Sequence, residues 1–372
     1  MPFLSARVTS LRQETSLYLD VVRFSAAMVV FLGHAAGRSF SGGFLWQLGA
    51  YLHTAVIVFF VLSGFVIGFV ASTKERTLDD YWAARIARLS SIVVPALLLT
   101  LVCDVIGLSL NRGFYVNGPW GYPSGSQVAN YLLSLFLLQN VWELDLNPGI
   151  NKPFWSLSYE FMYYAIFSAA FFLRGKRRVA LVAALCLLAG PTILALLPIW
   201  LMGYACYLAM THYESAFLKH RVVSGVVSLV ALAALVIGSP WVRHHVDFAI
   251  PYVKRVDIAG DYFDAALFAL HVLFSLPLLV LVKPLLVRHA AFIKWAASLT
   301  FALYLFHRPL IQVLAIVSPF EPGSLYGRVI VLGGTFLVVA TFGAWCENRK
   351  HVIKTFLKMA IMPRLRAALT AA

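Results

Sequence analysis

This 372-residue sequence has little charge, since only 12% of its residues are Asp, Glu, Lys or Arg. Hydrophobic residues make up 61%, and the mean hydropathy is +0.82. Apolar runs such as residues 53–70 are close to the roughly 20 residues that a helix needs to cross a bilayer. They also lack the period-two alternation typical of a membrane β-barrel. The composition therefore excludes an ordinary soluble domain and predicts an all-α integral membrane protein.

Cysteine is also scarce, and the residues that usually mark a bound cofactor are missing. The sequence has no nucleotide-binding glycine loop, no zinc-ligand helix motif and no serine nucleophile elbow. The four cysteines lie in apolar runs without the paired spacing of metal ligands, and we interpret them as small buried hydrophobic residues. These are Cys103, Cys186, Cys206 and Cys346. No metal and no permanently bound cofactor are therefore predicted.

The hydropathy pattern predicts about ten membrane-spanning helices in one membrane domain, residues 1–346. The spans are predicted near residues 17–36, 53–72, 88–110, 155–173, 179–197, 198–212, 222–240, 263–283, 297–318 and 326–346. Residues 126–141 are an eleventh candidate, but their apolar part is only about a dozen residues, which favours a re-entrant or interfacial helix. Residues 347–372 are predicted to form a basic amphipathic tail on the cytoplasmic leaflet.

The basic residues decide the predicted orientation of these helices. With both termini in the cytoplasm, 21 of the 30 lysines and arginines fall in cytoplasmic segments. This asymmetry largely explains the net charge of +14, so we predict contact with membrane lipids and no nucleic-acid partner. Arg7 and Arg12 precede an apolar stretch as in a signal peptide, but Asp20 and Arg23 interrupt that stretch and favour a retained first helix.

The first predicted helix contains three ionisable residues, Asp20, Arg23 and His34. A charged residue costs about 2.5 to 3.5 kcal/mol near the bilayer centre, so such residues are functional by default. Arg23 and His34 are eleven positions apart, which places them within about 20° of one helix face and about 16 Å apart along the axis. Asp20 is predicted to pair with Arg23. The alternative is that all three only hold neighbouring helices together.

The fourth predicted helix begins with an aromatic segment that contains Glu160 together with Trp155 and Tyr159. Glu160 is predicted near the outer end of this helix, at a depth similar to that of His34. Because a carboxylate that orients an imidazole makes it a better base, Glu160 and His34 are predicted to form a catalytic dyad. The alternative is that Glu160 binds hydroxyl groups or caps a helix.

Two further sites are predicted elsewhere in the membrane domain. Arg85 and Arg88 lie one turn apart, at the opposite surface from Glu160, and two guanidinium groups at this spacing suit phosphate recognition. Ordinary positive-inside arginines are the alternative. His307 lies in mid-membrane with Tyr304 one turn before it, and both a substrate contact and a packing or kink role remain open for this pair.

Five motifs, in order along residues 17–346, resemble the membrane acyltransferase 3 family, which O-acetylates bacterial surface polysaccharides and some antibiotics. The first helix is similar to that family's Arg-x10-His pattern, with LDVVRF in the place of its Leu-Asp-x-x-Arg opening. FFVLSGFVI is similar to the second-helix signature, and ARIARL resembles the Arg-x-x-Arg motif. WSLSYEFMYY resembles the Trp-Ser-Leu-x-x-Glu segment, and SLTFALYLFHRPL resembles the late helix that ends in His-x-Pro.

This resemblance implies acetyl-CoA as the acyl donor, bound from the cytoplasmic side through Arg85 and Arg88. His34 is expected to act as general base on the acceptor hydroxyl, or to be acylated itself and relay the acyl group. Glu160 would orient His34, and Arg23, held by Asp20, would anchor the donor or stabilise the developing oxyanion. The expected substrate contacts are His307, Tyr304, Trp155 and Tyr159.

The expected function is that of an O-acyltransferase of the bacterial inner membrane, with acetyl the favoured group. A surface polysaccharide or lipid-linked glycan is favoured as the acceptor over a macrolide or a lipid. A transporter or flippase is the main rival, although no inverted repeat is visible and the paired arginines are not at midplane. An inactive scaffold is the third hypothesis, and the intact motif residues count against it.

Overall fold

A computed structural model describes residues 11–255 and 257–364. Throughout these residues the regular structure is helical, and no strand is present. Two predicted features lie outside the described residues: the basic residue Arg7, and the part of the predicted tail after residue 364, which includes Arg366. The predicted all-α fold is confirmed for the described residues.

Thirteen helical segments form the framework, numbered here in chain order. They are α1 (Gln13–Ala35), α2 (Leu52–Thr73), α3 (Leu78–Leu110), α4 (Val128–Leu135), α5 (Trp155–Phe172), α6 (Gly175–Ala189), α7 (Pro191–His212), α8 (Arg221–His245), α9 (Ile258–Phe274), α10 (Leu276–Arg288), α11 (Ala290–Ser298), α12 (Thr300–Val317) and α13 (Leu325–Arg364).

Seven helices in the described part of the chain are long and apolar enough to cross a membrane. They are α1, α3, α7, α8, α12, α13 and the run Trp46–Thr73, which contains α2. The pair α9 and α10 would make an eighth, but it bends by 71° at its junction. Helix α4, in the segment predicted to be re-entrant or interfacial, has only eight residues and spans about 12 Å, too little to cross a bilayer. The chain is therefore a multi-pass membrane protein.

Two predicted helix boundaries are wrong. The division between the fifth and sixth spans, predicted at residue 197, lies at Gly190, whose φ of 83° ends the preceding helix before Pro191 starts α7. Pro198 lies inside α7. The predicted span 263–283 is interrupted at Ser275, and Pro277 stands at the start of the next helix, where its missing N–H group is not needed.

The chain forms two compact units. In the first, residues 11–26, 50–76 and 189–297, helices α2 and α7 approach closely through two glycines. A Cβ atom on Gly64 would lie 1.9 Å from the carbonyl oxygen of Trp200, and one on Gly203 would lie 1.8 Å from that of Val61. Small residues that let backbones approach are typical of membrane helix interfaces, where van der Waals contact drives association.

The second unit comprises residues 27–49, 77–188 and 298–364, and its centre is the packing of α3 against α12. The first turn of α3 is capped by Thr77, whose hydroxyl accepts a hydrogen bond from the N–H of Asp80 at 3.1 Å. The end of α13 packs against α3, and Lys358 forms an ion pair with Asp80. Cys103 and Cys346 are buried here, as predicted, whereas Cys186 is only half-buried, which corrects its predicted burial.

Candidate active site

Two histidines from distant parts of the chain meet in the second unit. His34 lies at the end of α1, and His307 lies in α12. Nδ1 of His34 is 3.2 Å from Nε2 of His307, and the two ring centroids are 5.0 Å apart. His307 is fully buried, whereas His34 is half-buried. The structure thus gives the predicted base a buried imidazole neighbour.

The backbone bonds of the two rings favour one pair of tautomers. Nδ1 of His34 is 2.9 Å from the carbonyl oxygen of Val30, and Nδ1 of His307 is 2.9 Å from that of Leu303. A carbonyl oxygen can only accept, so we assign a proton to Nδ1 of each ring from this network. The Nδ1–H group of His34 then also points to Nε2 of His307, and the lone pair of His34 lies on Nε2. A neutral imidazole with its lone pair on Nε2 is the form that a general base requires.

An indole ring joins this pair to an arginine. Trp120, in the segment after α3, makes an edge contact with His34, with ring centroids 6.0 Å apart. The guanidinium carbon of Arg308 lies 4.6 Å from the centroid of the same indole, within cation–π distance. The other contact of Trp120 is with Phe40, at 4.2 Å between centroids. One aromatic ring is therefore shared by the candidate base and a positive charge.

The segment that carries Trp120 is fastened to α3 by a buried carboxylate. Asp104, which is 2% exposed, accepts hydrogen bonds from the hydroxyls of Tyr115 at 2.5 Å and Tyr131 at 3.2 Å. Burial, and next the Asp104 carboxylate, raise the pKa of Tyr115 above its ordinary value of 10.0, so it stays a donor across the physiological range. Gly149 has a φ of 47°, and a Cβ atom there would lie 1.7 Å from Asp104.

We expect Asp104→Ala to loosen this segment and to lower the stability of the protein by about 1–3 kcal/mol, because the buried hydroxyl of Tyr115 is left without this partner. Acyl transfer should fall because Trp120 loses its support. Thermal unfolding in detergent and limited proteolysis of residues 111–154 would measure both effects. The control is Asp247→Ala, which removes an exposed carboxylate. Unchanged proteolysis and unfolding of Asp104→Ala would contradict this role.

The structure corrects the predicted separation of Glu160 from the paired arginines. The hydroxyl of Tyr164 donates a hydrogen bond to Glu160, and the guanidinium carbon of Arg85 lies 5.7 Å from the ring centroid of that tyrosine. Glu160 and Arg85 therefore share a neighbour and do not lie at opposite surfaces, because the start of α3 packs along the middle of α5, where Trp82 contacts Phe161. Glu160 does bond to a hydroxyl group, that of Tyr164, and its dyad with His34 remains a prediction.

The two predicted phosphate-binding arginines differ in burial. Arg85 is only 5% exposed and lies over the rings of Tyr81 and Tyr164, whereas Arg88 is half-buried. Sequence spacing alone suggested two equivalent surface groups. The difference indicates that Arg88 is the more accessible of the two to a large anionic ligand.

The remaining predicted contacts connect α5 with α12. The hydroxyl of Tyr304 lies 2.8 Å from Oγ of Ser156, and its ring centroid is 6.4 Å from that of His307. Trp155 makes an edge contact with Tyr159, with centroids 5.1 Å apart. Tyr304 thus connects the start of α5 with His307. The roles of Tyr304, Trp155 and Tyr159 toward substrate remain predictions.

The ion pair predicted within α1 is confirmed. Nη1 of Arg23 is 3.1 Å from Oδ1 of Asp20, and both side chains are about a fifth exposed. This contact belongs to the first unit. Pairing three residues apart on a helix lowers the cost of both charges in an apolar surrounding. The role of Arg23 toward the donor remains a prediction.

Sequence reasoning missed Trp120, and it gave Asp104 and Arg308 no role. Trp120 lies in a Gly/Pro-rich segment, NGPWGYP, which predicts a loop and no function. Asp104 was visible as an intramembrane carboxylate, but its tyrosine partners come later in the chain. Arg308 follows His307 directly, and an intramembrane arginine is itself a functional signal.

A family model described as an acyltransferase domain matches residues 16–344, most of the chain. This range includes every residue of the site. No solved structure matches the chain significantly.

Two curated proteins are similar to parts of the chain. Acyltransferase MdmB of Streptomyces mycarofaciens is 35% identical over 159 residues, which cover 40% of this chain and 37% of that protein. The O-acetyl transferase of Shigella phage Sf6 is 28% identical over 234 residues, which cover 58% of this chain and 68% of that protein. The chain thus matches a little over a third of the first relative's length and about two thirds of the second's.

Proposed function

Because this chain belongs to the acyltransferase 3 family, we propose that it is a membrane O-acyltransferase that moves an acetyl group from acetyl-CoA to a hydroxyl of a surface polysaccharide or lipid-linked glycan. The name of the phage relative, an O-acetyl transferase, supports acetyl as the group and oxygen as the acceptor atom. A polysaccharide acceptor follows from the family resemblance of the motifs.

The observation that supports this function best is the contact between His34 and His307, with 3.2 Å between their nitrogens. Nε2 of His34 takes the proton of the acceptor hydroxyl as its oxygen attacks the acyl carbonyl. Nδ1–H of the resulting imidazolium donates to Val30 and His307, which stabilise its positive charge. His34 then returns the proton to the CoA sulfur as the C–S bond breaks. The products are an ester and CoA thiol.

A relay through an acylated His34 would use the same nitrogen as the nucleophile. Acetyl would then form a C–N bond to Nε2 and release CoA before the acceptor arrives. The two routes differ in one observable, because only the relay leaves labelled acetyl on the protein when acetyl-CoA is supplied without an acceptor. Rapid quenching and mass spectrometry of the peptide containing His34 would distinguish them.

The membrane arrangement proposed with this function has about ten crossings, with both termini in the cytoplasm of a bacterium and the protein in its inner membrane. The distribution of basic residues supports this orientation. Cysteine-accessibility labelling at Arg177→Cys and Arg112→Cys would test it. The first site should react only from the cytoplasmic side and the second only from the outer side.

The direct test supplies the protein, reconstituted in liposomes, with radiolabelled acetyl-CoA and crude cell-surface glycan. We expect label to enter the glycan and free CoA to appear in equal amount. A protein that binds acetyl-CoA but labels no glycan would disprove the glycan acceptor. A protein that does not bind acetyl-CoA would disprove the enzyme and favour the transporter.

We expect Arg88→Ala to raise the KM for acetyl-CoA about tenfold or more while kcat stays near the native value, since a hydrogen bond to a charged group contributes about 1.5–3 kcal/mol. Steady-state transfer assays would measure it. Arg112→Ala, which removes an exposed arginine of the same unit, is the control. Acetyl-dephospho-CoA adds a second check, because the native and variant proteins should differ less on it if Arg88 contacts the missing 3′-phosphate. An unchanged KM for both donors would contradict phosphate binding by Arg88.

A further inference from the structure

Arg308 is a buried cation without an anionic partner in the described part of the chain. Arg308 is only 8% exposed, and its Nε atom is buried without a hydrogen-bond partner among the described residues. No described Asp or Glu forms a salt bridge with it. A buried charge is costly unless it is paired, so proteins retain one chiefly where a ligand or a reaction supplies the opposite charge.

The position of this charge relates it to the proposed base. Arg308 follows His307 on α12, and its guanidinium carbon lies 4.6 Å from the centre of the Trp120 ring. The same indole makes the edge contact with His34. A guanidinium held over an aromatic ring is confined to one place, which suits it to a fixed role there.

Arg23, the arginine predicted to stabilise an oxyanion, differs from Arg308 because a carboxylate balances its charge. Its guanidinium is already paired with the carboxylate of Asp20 at 3.1 Å. A guanidinium whose charge is balanced by a neighbouring carboxylate has less attraction left for a transient anion. Of Arg23 on α1 and Arg308 on α12, Arg308 is the one whose charge no described carboxylate balances.

We propose that Arg308 is a catalytic residue whose guanidinium N–H groups bind the oxyanion formed during acyl transfer, with Trp120 positioning it; this inference rests on the proposed function. The acceptor oxygen forms a bond to the acyl carbon, and the carbonyl π electrons move onto the carbonyl oxygen, which becomes negative beside Arg308. His34 takes the hydroxyl proton. The C=O bond then re-forms, the C–S bond breaks, and the sulfur takes the proton from His34.

The test compares Arg308→Ala with the native protein in the liposome assay with acetyl-CoA and crude glycan. Removing one oxyanion donor lowers kcat about 10²- to 10³-fold in known acyl-transfer sites, and we expect a loss of that order. The KM values for both substrates should stay near the native ones, because the oxyanion exists only in the transition state and intermediate. Guanidinium chloride at low millimolar concentration should restore part of the rate to Arg308→Ala.

The control is Arg328→Ala in the same unit. Arg328 also lies over an aromatic ring, with 5.2 Å from its guanidinium carbon to the Phe44 centroid, and its Nε donates to the carbonyl oxygen of Ser41 at 3.0 Å. It should retain transfer. If Arg308→Ala does not fold, Trp120→Leu provides the second variant, since it keeps the charge but removes its support, and its kcat should fall less.

The outcomes separate this inference from the function on which it rests. A native protein that transfers no acetyl group would remove the proposed function and, with it, the role of Arg308. An active native protein with normal kcat in Arg308→Ala would overturn only the oxyanion role. A raised KM for the glycan with unchanged kcat would also overturn it and assign Arg308 to an anionic group on the acceptor.

Discussion

His34→Ala is expected to lower acetyl transfer about 10²- to 10⁴-fold, the usual contribution of a positioned general base. Binding of acetyl-CoA should persist, because the two arginines proposed to bind its phosphates lie on α3. The reason for the large effect is that His34 is the half-buried member of the histidine pair, with its lone pair on Nε2 in the tautomer that both backbone bonds favour. Initial rates of label transfer, with donor binding measured by calorimetry, would test it.

The matched control for His34 is a histidine of the first unit. His271 is also on a membrane helix, and it is bonded to Ser228 at 2.9 Å and to the hydroxyl of Tyr18. His271→Gln should retain transfer even where it lowers stability. His34→Gln, which keeps a polar side chain but cannot act as a base, should be as inactive as His34→Ala. Substantial transfer by either His34 variant would rule out the proposed base.

Gly64→Ala is expected to destabilise the first unit by about 1–3 kcal/mol or more, the range for an overpacked interior. The new Cβ atom would meet the carbonyl oxygen of Trp200 at 1.9 Å, and a backbone atom cannot move aside as a flexible side chain could. Helices α2 and α7 would have to separate and lose their close contact. Thermal unfolding in detergent, followed by size-exclusion chromatography, would measure the loss.

Substitutions at two other glycines test whether the loss arises at the interface between α2 and α7. Gly203→Ala should have a similar effect, because its Cβ atom would lie 1.8 Å from the carbonyl oxygen of Val61, and the double variant should lose less than the sum since both act on one interface. Gly49→Ala is the control, because its Cβ atom would meet nothing within 4 Å. A Gly64→Ala protein as stable as the Gly49→Ala protein would disprove the interface.

Local features of the site were predictable from sequence. The Asp20–Arg23 pair was predicted because the two residues are three positions apart on one helix, a geometry that helix periodicity sets without any tertiary contact. The burial of Cys103 was predicted because it lies in an apolar run. A helix too short to span the bilayer was predicted within residues 126–141 because the apolar part is short, and the helix at residues 128–135 agrees. The candidate base was found because an ionisable residue in an apolar run is rare.

Contacts between helices were not predictable in this way. His34 and His307 are 273 residues apart. Glu160 and Arg85 share Tyr164 as a neighbour, although sequence had assigned them to opposite surfaces. Helices with apolar residues on every side do not reveal which face meets a neighbour or at what height. The break at Gly190 was missed because the apolar pattern continues through it.

The amino-acid sequence by itself determined that the chain is helical, that it crosses a membrane several times and that it contains the motif residues of its family, because run length, periodicity and residue type decide these properties locally. Only the tertiary structure decided that His307 lies next to His34 and that Trp120 contacts both His34 and Arg308, a cation that no described carboxylate balances. The physical reason is that van der Waals fit between apolar helices selects their register, and that fit depends on the shapes of all the facing side chains together.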